Sequence, residues 1–132
     1  MTVDHFRPRV LVVVDEPLVR EMLVESLLEQ GFEVYAAATA WEAITQLKHG
    51  KCCDVMFTDI NLGSGDDGVT LSRVARELQP DLPVIYTSGA VDGLRQVEAV
   101  EGASFMRKPY DLAAVGALLQ AAAASARSLI SA

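Results

Sequence analysis

Val10, Leu11, Val12, Val13 and Val14 form an uninterrupted apolar run, and this run restricts the fold more tightly than any other stretch. A strand with one wet face alternates apolar and polar residues, whereas a strand that is apolar throughout is covered on both faces. Further strand-like segments cover Glu33–Ala38, Val55–Thr58, Val84–Ser88 and Ser104–Arg107, so with Arg9–Val14 there are five, separated by stretches of helical periodicity. Strands alternating with helices argue for an α/β domain whose parallel sheet carries helices on both faces. Parallel neighbours need crossovers of about a dozen residues or more, and right-handed crossovers leave 2-1-3-4-5 as the natural strand order. That order sets the first strand beside the third.

The helical stretches carry their own punctuation. Pro17 suits a first turn, Val19, Met22, Leu23, Ser26 and Leu27 follow helical spacing, and Gly31 is placed to end the segment. Thr39 with Glu42 makes a capping box for a second helix that Gly50 ends. Asp67 or Asp66 can cap a third, with Val69, Leu71, Val74, Ala75 and Leu78 as its inward stripe and Pro80 and Pro83 beyond it. Val91–Val100 is the weakest helical pattern, interrupted by Gly93, and is the segment expected to move. Asp111 opens an alanine-rich last helix expected to fray over Ser125–Ala132. The loop Ile60–Asp67, with Gly63, Ser64 and Gly65, reads as irregular. These boundaries divide the chain into a tail at 1–8, one domain at 9–125 and a second tail at 126–132.

Composition narrows the function classes. The 132 residues suffice for one core, with no room for a separate output module. The longest apolar runs fall far short of the roughly 20 residues that span a bilayer, and the opening MTVDHFRPR lacks a signal-peptide core. A cytoplasmic protein without membrane contact is the expectation. A net charge of -7 repels a nucleic-acid backbone, which argues against direct nucleic-acid binding. Adjacent Cys52 and Cys53 suit neither a zinc pair nor an ordinary disulfide and read as reduced thiols. His5, His49 and Trp41 suggest no chemistry beyond solvation, helix-end charge and packing.

Charge is concentrated where the strands end. Asp15 follows the first strand, Asp59 closes the third, and Lys108 follows the fifth. In open α/β sheets ligands bind at the carboxyl ends of the strands. Two carboxylates and an ammonium there suit a phosphoryl group beside a metal ion.

Four segments, VLVVVDEPLVR, DVMFTDINL, LPVIYTSG and FMRKPYDL, resemble in order and spacing the receiver domain of two-component response regulators, the CheY-like family with a flavodoxin-like fold. The resemblance covers Val10 to about Ala124. It implies that Asp59 accepts a phosphoryl group from a histidine kinase or a histidine phosphotransfer protein. It implies further that Asp15, Asp59 and the backbone carbonyl of Asn61 hold Mg2+. Lys108 pairs with a phosphoryl oxygen, Pro109 follows a cis bond, and Ser88 donates its hydroxyl to the modified site. Phe105 then changes rotamer, and the surface around the fifth strand reshapes to alter binding to a downstream protein. Such a domain is a signalling switch rather than an enzyme, beyond gaining and losing its own phosphoryl group. Leu18, Val19 and Met22 are candidate docking residues.

The chain departs from the family in two places. Receivers usually carry two adjacent acidic residues after the first strand, and here Val14 replaces the first. A carboxylate about 5 Å from a dication contributes roughly 3 to 7 kcal/mol at effective dielectrics of ~20 to 40, before desolvation. Magnesium binding should weaken, and losing a like charge should stabilise the unmodified fold. Glu16, expected to face solvent at the helix start, does not replace the missing group. The loop after Asp59 is about one residue longer than usual and has Gly63 where proline is frequent, which suggests extra mobility or a neutral insertion. Other readings fit the same residues: an interaction module with weak or no phosphorylation, a receiver cut from a hybrid histidine kinase, or an aspartyl phosphohydrolase. Such hydrolases place a second aspartate where this chain has Asn61.

Overall fold

The computed structural model describes residues 7–50, 53–63, 67–89 and 99–131. Its elements are β1 (Arg9–Val13), α1 (Pro17–Glu29), β2 (Glu33–Ala37), α2 (Ala40–Lys48), β3 (Val55–Asp59), α3 (Gly68–Leu78), β4 (Val84–Ser88), β5 (Ser104–Arg107) and α4 (Leu112–Ser131). The five strands form one parallel sheet in the order β2-β1-β3-β4-β5. Both follow from the alternation read in the sequence. Most of the weak helical pattern at Val91–Val100 lies outside the described residues, as do Asp66, Ser64, Gly65, Cys52 and His5.

The apolar run of β1 is explained by two cores, one on each face of the sheet. Leu11 and Val13 pack with Met56, Leu71, Ala75 and Tyr86 on the side of α2 and α3. Val10, Val12 and Val14 pack with Leu23, Leu27, Phe57, Ile85 and Val115 on the side of α1 and α4. The outer strands β2 and β5 are only partly covered, which is why they tolerate Glu33 and Arg107.

Thr39 and Asp67 cap their helices as the sequence predicts, and Glu16, expected only to face solvent, caps α1. The Glu16 carboxylate accepts from the Leu18 N–H at 3.0 Å, Thr39 Oγ1 from Glu42 N–H at 3.1 Å, and Asp67 Oδ1 from Val69 N–H at 2.8 Å. Each satisfies a first-turn donor that has no partner within its helix. Glu42 reaches back to the N–H of Ala38 at 2.8 Å. Gly31 and Gly50 follow the ends of α1 and α2 with φ of 98° and 80°, the left-handed conformation that glycine adopts without strain.

Several boundaries and faces differ from the sequence reading. β1 and β2 each stop one residue short of the expected end, at Val13 and Ala37, and β3 carries on through Asp59 because the ladder continues with Ile60 N–H bonded to Thr87 O at 2.9 Å. α4 continues to Ser131 instead of fraying from Ser125; alanine is the best helix former and no breaker interrupts the segment. Leu78, expected in the inward stripe of α3, is 42% exposed. Val69, Leu71 and Ala75 of the expected stripe are buried, with Gly68 and Ser72 beside them, and the face continues to Gln79, whose amide donates to Cys53 O at 2.5 Å. Met22 is 57% exposed, because α1 buries Leu23 and Leu27 instead. Among the described residues no helix is long and apolar enough to cross a membrane.

Candidate functional site

The carboxyl ends of β1, β3, β4 and β5 bring Asp15, Asp59, Ser88 and Lys108 to one end of the sheet, the set singled out in the sequence. Asp59 is the last residue of β3 and only 3% exposed. Lys108 Nζ lies 3.0 Å from its Oδ1, and Oδ1 has no other donor among the described residues. Burial raises the Asp59 pKa above the ordinary carboxylate value; Lys108 opposes this and the nearby Asp15 charge adds to it. Desolvation outweighs the lysine because one partly exposed ammonium replaces only part of the lost hydration. Lys108 is anchored through its backbone, whose N–H donates to Ser88 O at 3.0 Å, and the Lys108–Pro109 bond is cis, as the resemblance implies.

The backbone after Asp59 is held on several sides. Thr58 Oγ1 donates to Asp59 O at 2.9 Å, Ile60 N–H to Thr87 O at 2.9 Å, and Gly68 N–H to Ile60 O at 2.6 Å. A β-carbon at Gly68 would fall 2.0 Å from Asp59 O, so only glycine lets α3 begin against that peptide. Asn61 bridges Asp67, and its Oδ1 accepts from Gly63 N–H at 3.0 Å. Gly63 has φ of +70°, and a β-carbon there would approach Asp15 Oδ2 to 2.8 Å. Proline cannot adopt that φ, which accounts for its replacement. Gly63 thus sits beside the Asp15 carboxylate.

Val14 lies in the core rather than in the site. It is 1% exposed and belongs to the cluster with Leu23, Phe57 and Ile85. Its carbonyl accepts from Arg20 Nη1 at 2.7 Å, and the same nitrogen lies 3.4 Å from Asp15 O. Asp15 and Glu16 are exposed. Among the described residues no group of three or more His, Cys, Asp or Glu side chains is placed to hold a metal ion. The donors on offer are Asp15, Asp59 and the Asn61 carbonyl.

On the opposite flank, Phe105 is partly buried with its ring 5.3 Å from that of Tyr86, tilted by 32°. Tyr86 is fully buried and joins a hydrogen-bond chain whose direction can be worked out. Ser72 Oγ donates its single hydrogen to Val69 O at 2.6 Å. Tyr86 must therefore be the donor in its 2.5 Å bond to Ser72 Oγ, and its oxygen accepts from Val100 N–H at 3.1 Å. The chain links the first turns of α3, the middle of β4 and the approach to β5. Tyr110 packs edge-on against Phe57, centroids 5.8 Å apart, and burial together with the Asp59 charge pushes its pKa up to about 12. Arg20, Ser72, Tyr86 and Tyr110 were not among the residues singled out in the sequence. Only Ser72 left a readable sign there, a polar residue on the buried side of an amphipathic helix.

Of the candidate docking residues, Val19 packs toward the core, while Leu18 and Met22 are exposed. With Leu112 they line a groove edged by Glu21, Glu25 and Glu29.

Residues 10–120 match the family described as response regulator receiver domain. The chain is 35% identical over 98 residues to the transcriptional regulatory protein AruR of Pseudomonas aeruginosa, covering 71% of this chain and 39% of that protein. It is 33% identical over 106 residues to the sensor kinase CckA of Brucella abortus, covering 78% of this chain and 11% of that one. It thus spans well under half the length of either curated relative. A response regulator receiver protein from Sinorhizobium medicae superposes with a TM-score of 0.84 at 28% identity, covering 91% of this chain and 97% of that one. A parallel sheet of that order, the charges collected at its strand ends and the matched residues agree: the chain belongs to the response regulator receiver domains of two-component signalling.

Proposed function

We propose that Asp59 is the phosphoacceptor of this receiver, taking a phosphoryl group from a phosphohistidine and thereby switching protein–protein interactions. The observation that carries this reading is the buried Asp59 carboxylate with the Lys108 ammonium 3.0 Å from Oδ1. An Asp59 oxygen bonds to phosphorus while the phosphorus–nitrogen bond of the donor breaks, its electron pair remaining on the imidazole. The product is an acyl phosphate, high in energy and labile, which suits a reversible signal. Lys108 neutralises the carboxylate before transfer and follows the added oxygens afterwards. Ser88, at the end of β4 and beside Lys108 through its carbonyl, supplies a hydroxyl to the same oxygens.

Receiver domains generally bind Mg2+, which offsets charge on the transferring group. Here Asp15, Asp59 and the Asn61 carbonyl are the residues to hold it. The donor set fits, since Mg2+ takes one or two carboxylates with waters and phosphate oxygens. With Val14 in place of an acid, one negative charge is missing from that cradle, and a net loss of ~1.4 kcal/mol weakens binding about tenfold.

Receivers act with histidine kinases and downstream effectors. The exposed Leu18 and Met22 support α1 as the docking helix, and the Phe105–Tyr86 contact supports β5 as the output side. We assign the receiver to residues 9–125, acting within the cytoplasm without direct nucleic-acid or membrane contact. The test is phosphoryl uptake from a small acyl phosphate with Mg2+, followed by intact mass, for the native chain and Asp59→Asn. One phosphoryl group on the native chain and none on the variant is expected. Equal labelling of the two sinks the assignment.

A further inference from the structure

Thr87 of β4 is 1% exposed, and its Oγ1 has no hydrogen-bond partner among the described residues. A buried hydroxyl without a partner is costly and asks for a reason. Its register partner on β3 is Asp59 and on β5 is Met106. Side chains alternate along a strand. Phe57, Ile85 and Met106 belong to the core on the α1 and α4 side, so Asp59 and Thr87, each two residues further along, project to that same side. Neighbouring strands lie about 4.8 Å apart. Register and pleat thus set a hydroxyl without an acceptor next to the strand position of a carboxylate whose Oδ1 has Lys108 as its one close partner among the described residues. Ser88 starts from the other pleat, that of Tyr86, so the two adjacent hydroxyls approach Asp59 differently.

We propose that Thr87 is a second hydroxyl of the reacting site. Its Oγ1 donates to the Asp59 carboxyl oxygen that does not carry the phosphoryl group, and it thereby sets the lifetime of the acyl phosphate. The proposal rests on Asp59 being the phosphoacceptor. In hydrolysis, a water oxygen bonds to phosphorus and the bond between phosphorus and the Asp59 oxygen breaks. The electron pair returns to Asp59 as carboxylate, and the water proton leaves with inorganic phosphate or to solvent. Negative charge grows on the carboxyl group as that bond breaks. Hydrogen bonds to charged groups are stronger than those to neutral ones, so a donor at this oxygen favours the transition state over the acyl phosphate and shortens its life. In the unmodified chain Thr87 Oγ1 makes no such bond; the bond forms once phosphorylation repositions the Asp59 carboxyl group.

The test compares the native chain with Thr87→Val and Thr87→Ser. Each is labelled with a small acyl phosphate and Mg2+, freed of donor by desalting, and followed for loss of the phosphoryl group. Thr87→Val is expected to lengthen the lifetime about fivefold, equivalent to about 1 kcal/mol, while Thr87→Ser stays within about twofold of native. An unchanged lifetime in Thr87→Val, or equal lengthening in both variants, overturns the proposal. Denaturant unfolding of the unlabelled proteins gives a readout independent of phosphorylation. Thr87→Val, isosteric and apolar, is expected to unfold at the native midpoint or above it. A lower midpoint overturns the proposal by showing that the hydroxyl already had a partner. A native chain that takes no label refutes the phosphoacceptor reading itself, an outcome distinct from a labelled Thr87→Val with native lifetime.

Discussion

The two flanks of Asp59 are built on different plans. On the β1 side the chain has placed Val14 in the hydrophobic core, Asp15 stands exposed against Gly63, and Arg20 secures the turn through backbone carbonyls alone. On the β4–β5 side Lys108 contacts Asp59 directly, Ser88 holds Lys108, and Tyr86 ties β4 to α3 and to Val100. One flank has an apolar residue packed in the core where receivers usually carry an acid; the other sets an ammonium against the buried carboxylate. Asp59 is therefore neutralised from the β5 side, by Lys108, while the β1 side offers it the like charge of Asp15.

The largest expected effect comes from the intact flank. Lys108→Met leaves the buried Asp59 carboxylate without its cation, and phosphoryl uptake is expected to fall about a hundredfold, the scale of losing one charge-stabilising donor. Uptake within a few-fold of native would show that the β1 flank can neutralise Asp59 by itself, and the contrast between flanks would fail. Next in size is Val14→Asp, which rebuilds the missing acid. Mg2+ affinity, read by titration, is expected to rise tenfold or more. The metal-free variant is expected to lose ~1–3 kcal/mol in denaturant unfolding, because a carboxylate replaces a buried apolar group beside two like charges. Equal Mg2+ affinity in the two proteins would mean that Val14 costs the site nothing.

Smaller effects probe the polar network. Ser72→Ala strands the Tyr86 hydroxyl proton inside the core, and Tyr86→Phe leaves the Val100 N–H without its acceptor, so each should destabilise by ~1–3 kcal/mol in denaturant unfolding. A Ser72→Ala variant of native stability would contradict the donor order derived from the geometry. The smallest effect is one of pH. The folded state holds the Asp59 proton more tightly than the unfolded chain, whose carboxyl keeps the ordinary value of 3.8. Stability from this group is therefore present in full below 3.8 and lost as pH rises through the raised folded value. In metal-free buffer Asp59→Asn should be the more stable protein at neutral pH, with the gap closing on acidification. A gap that widens instead would mean that the Lys108 charge outweighs desolvation.

Much of this was legible in the linear chain. The apolar run at Val10–Val14 required a strand covered on both faces, and five alternations with helices left little freedom of strand order. Charges ending three strands marked the site, and the cap residues Thr39 and Asp67 sat where their helices begin. Reading failed where two residues compete for one face. On α3 the stripe holds at Val69, Leu71 and Ala75 and fails at Leu78, because the last turn meets the sheet through Gln79 instead. Nor could the sequence show that Gly63 takes a positive φ beside the Asp15 carboxylate, distant in sequence and adjacent in space.

The sequence by itself determined the elements, their order and the chemical identity of the groups at the strand ends, because these depend on local periodicity, capping and the connectivity of a parallel sheet. Only the tertiary structure decided how each group behaves. The burial of Asp59, the direction of the Ser72–Tyr86–Val100 chain and the isolation of the Thr87 hydroxyl among the described residues all depend on packing between segments far apart in the chain. Desolvation and hydrogen-bond pairing belong to such neighbourhoods, and no single segment carries them.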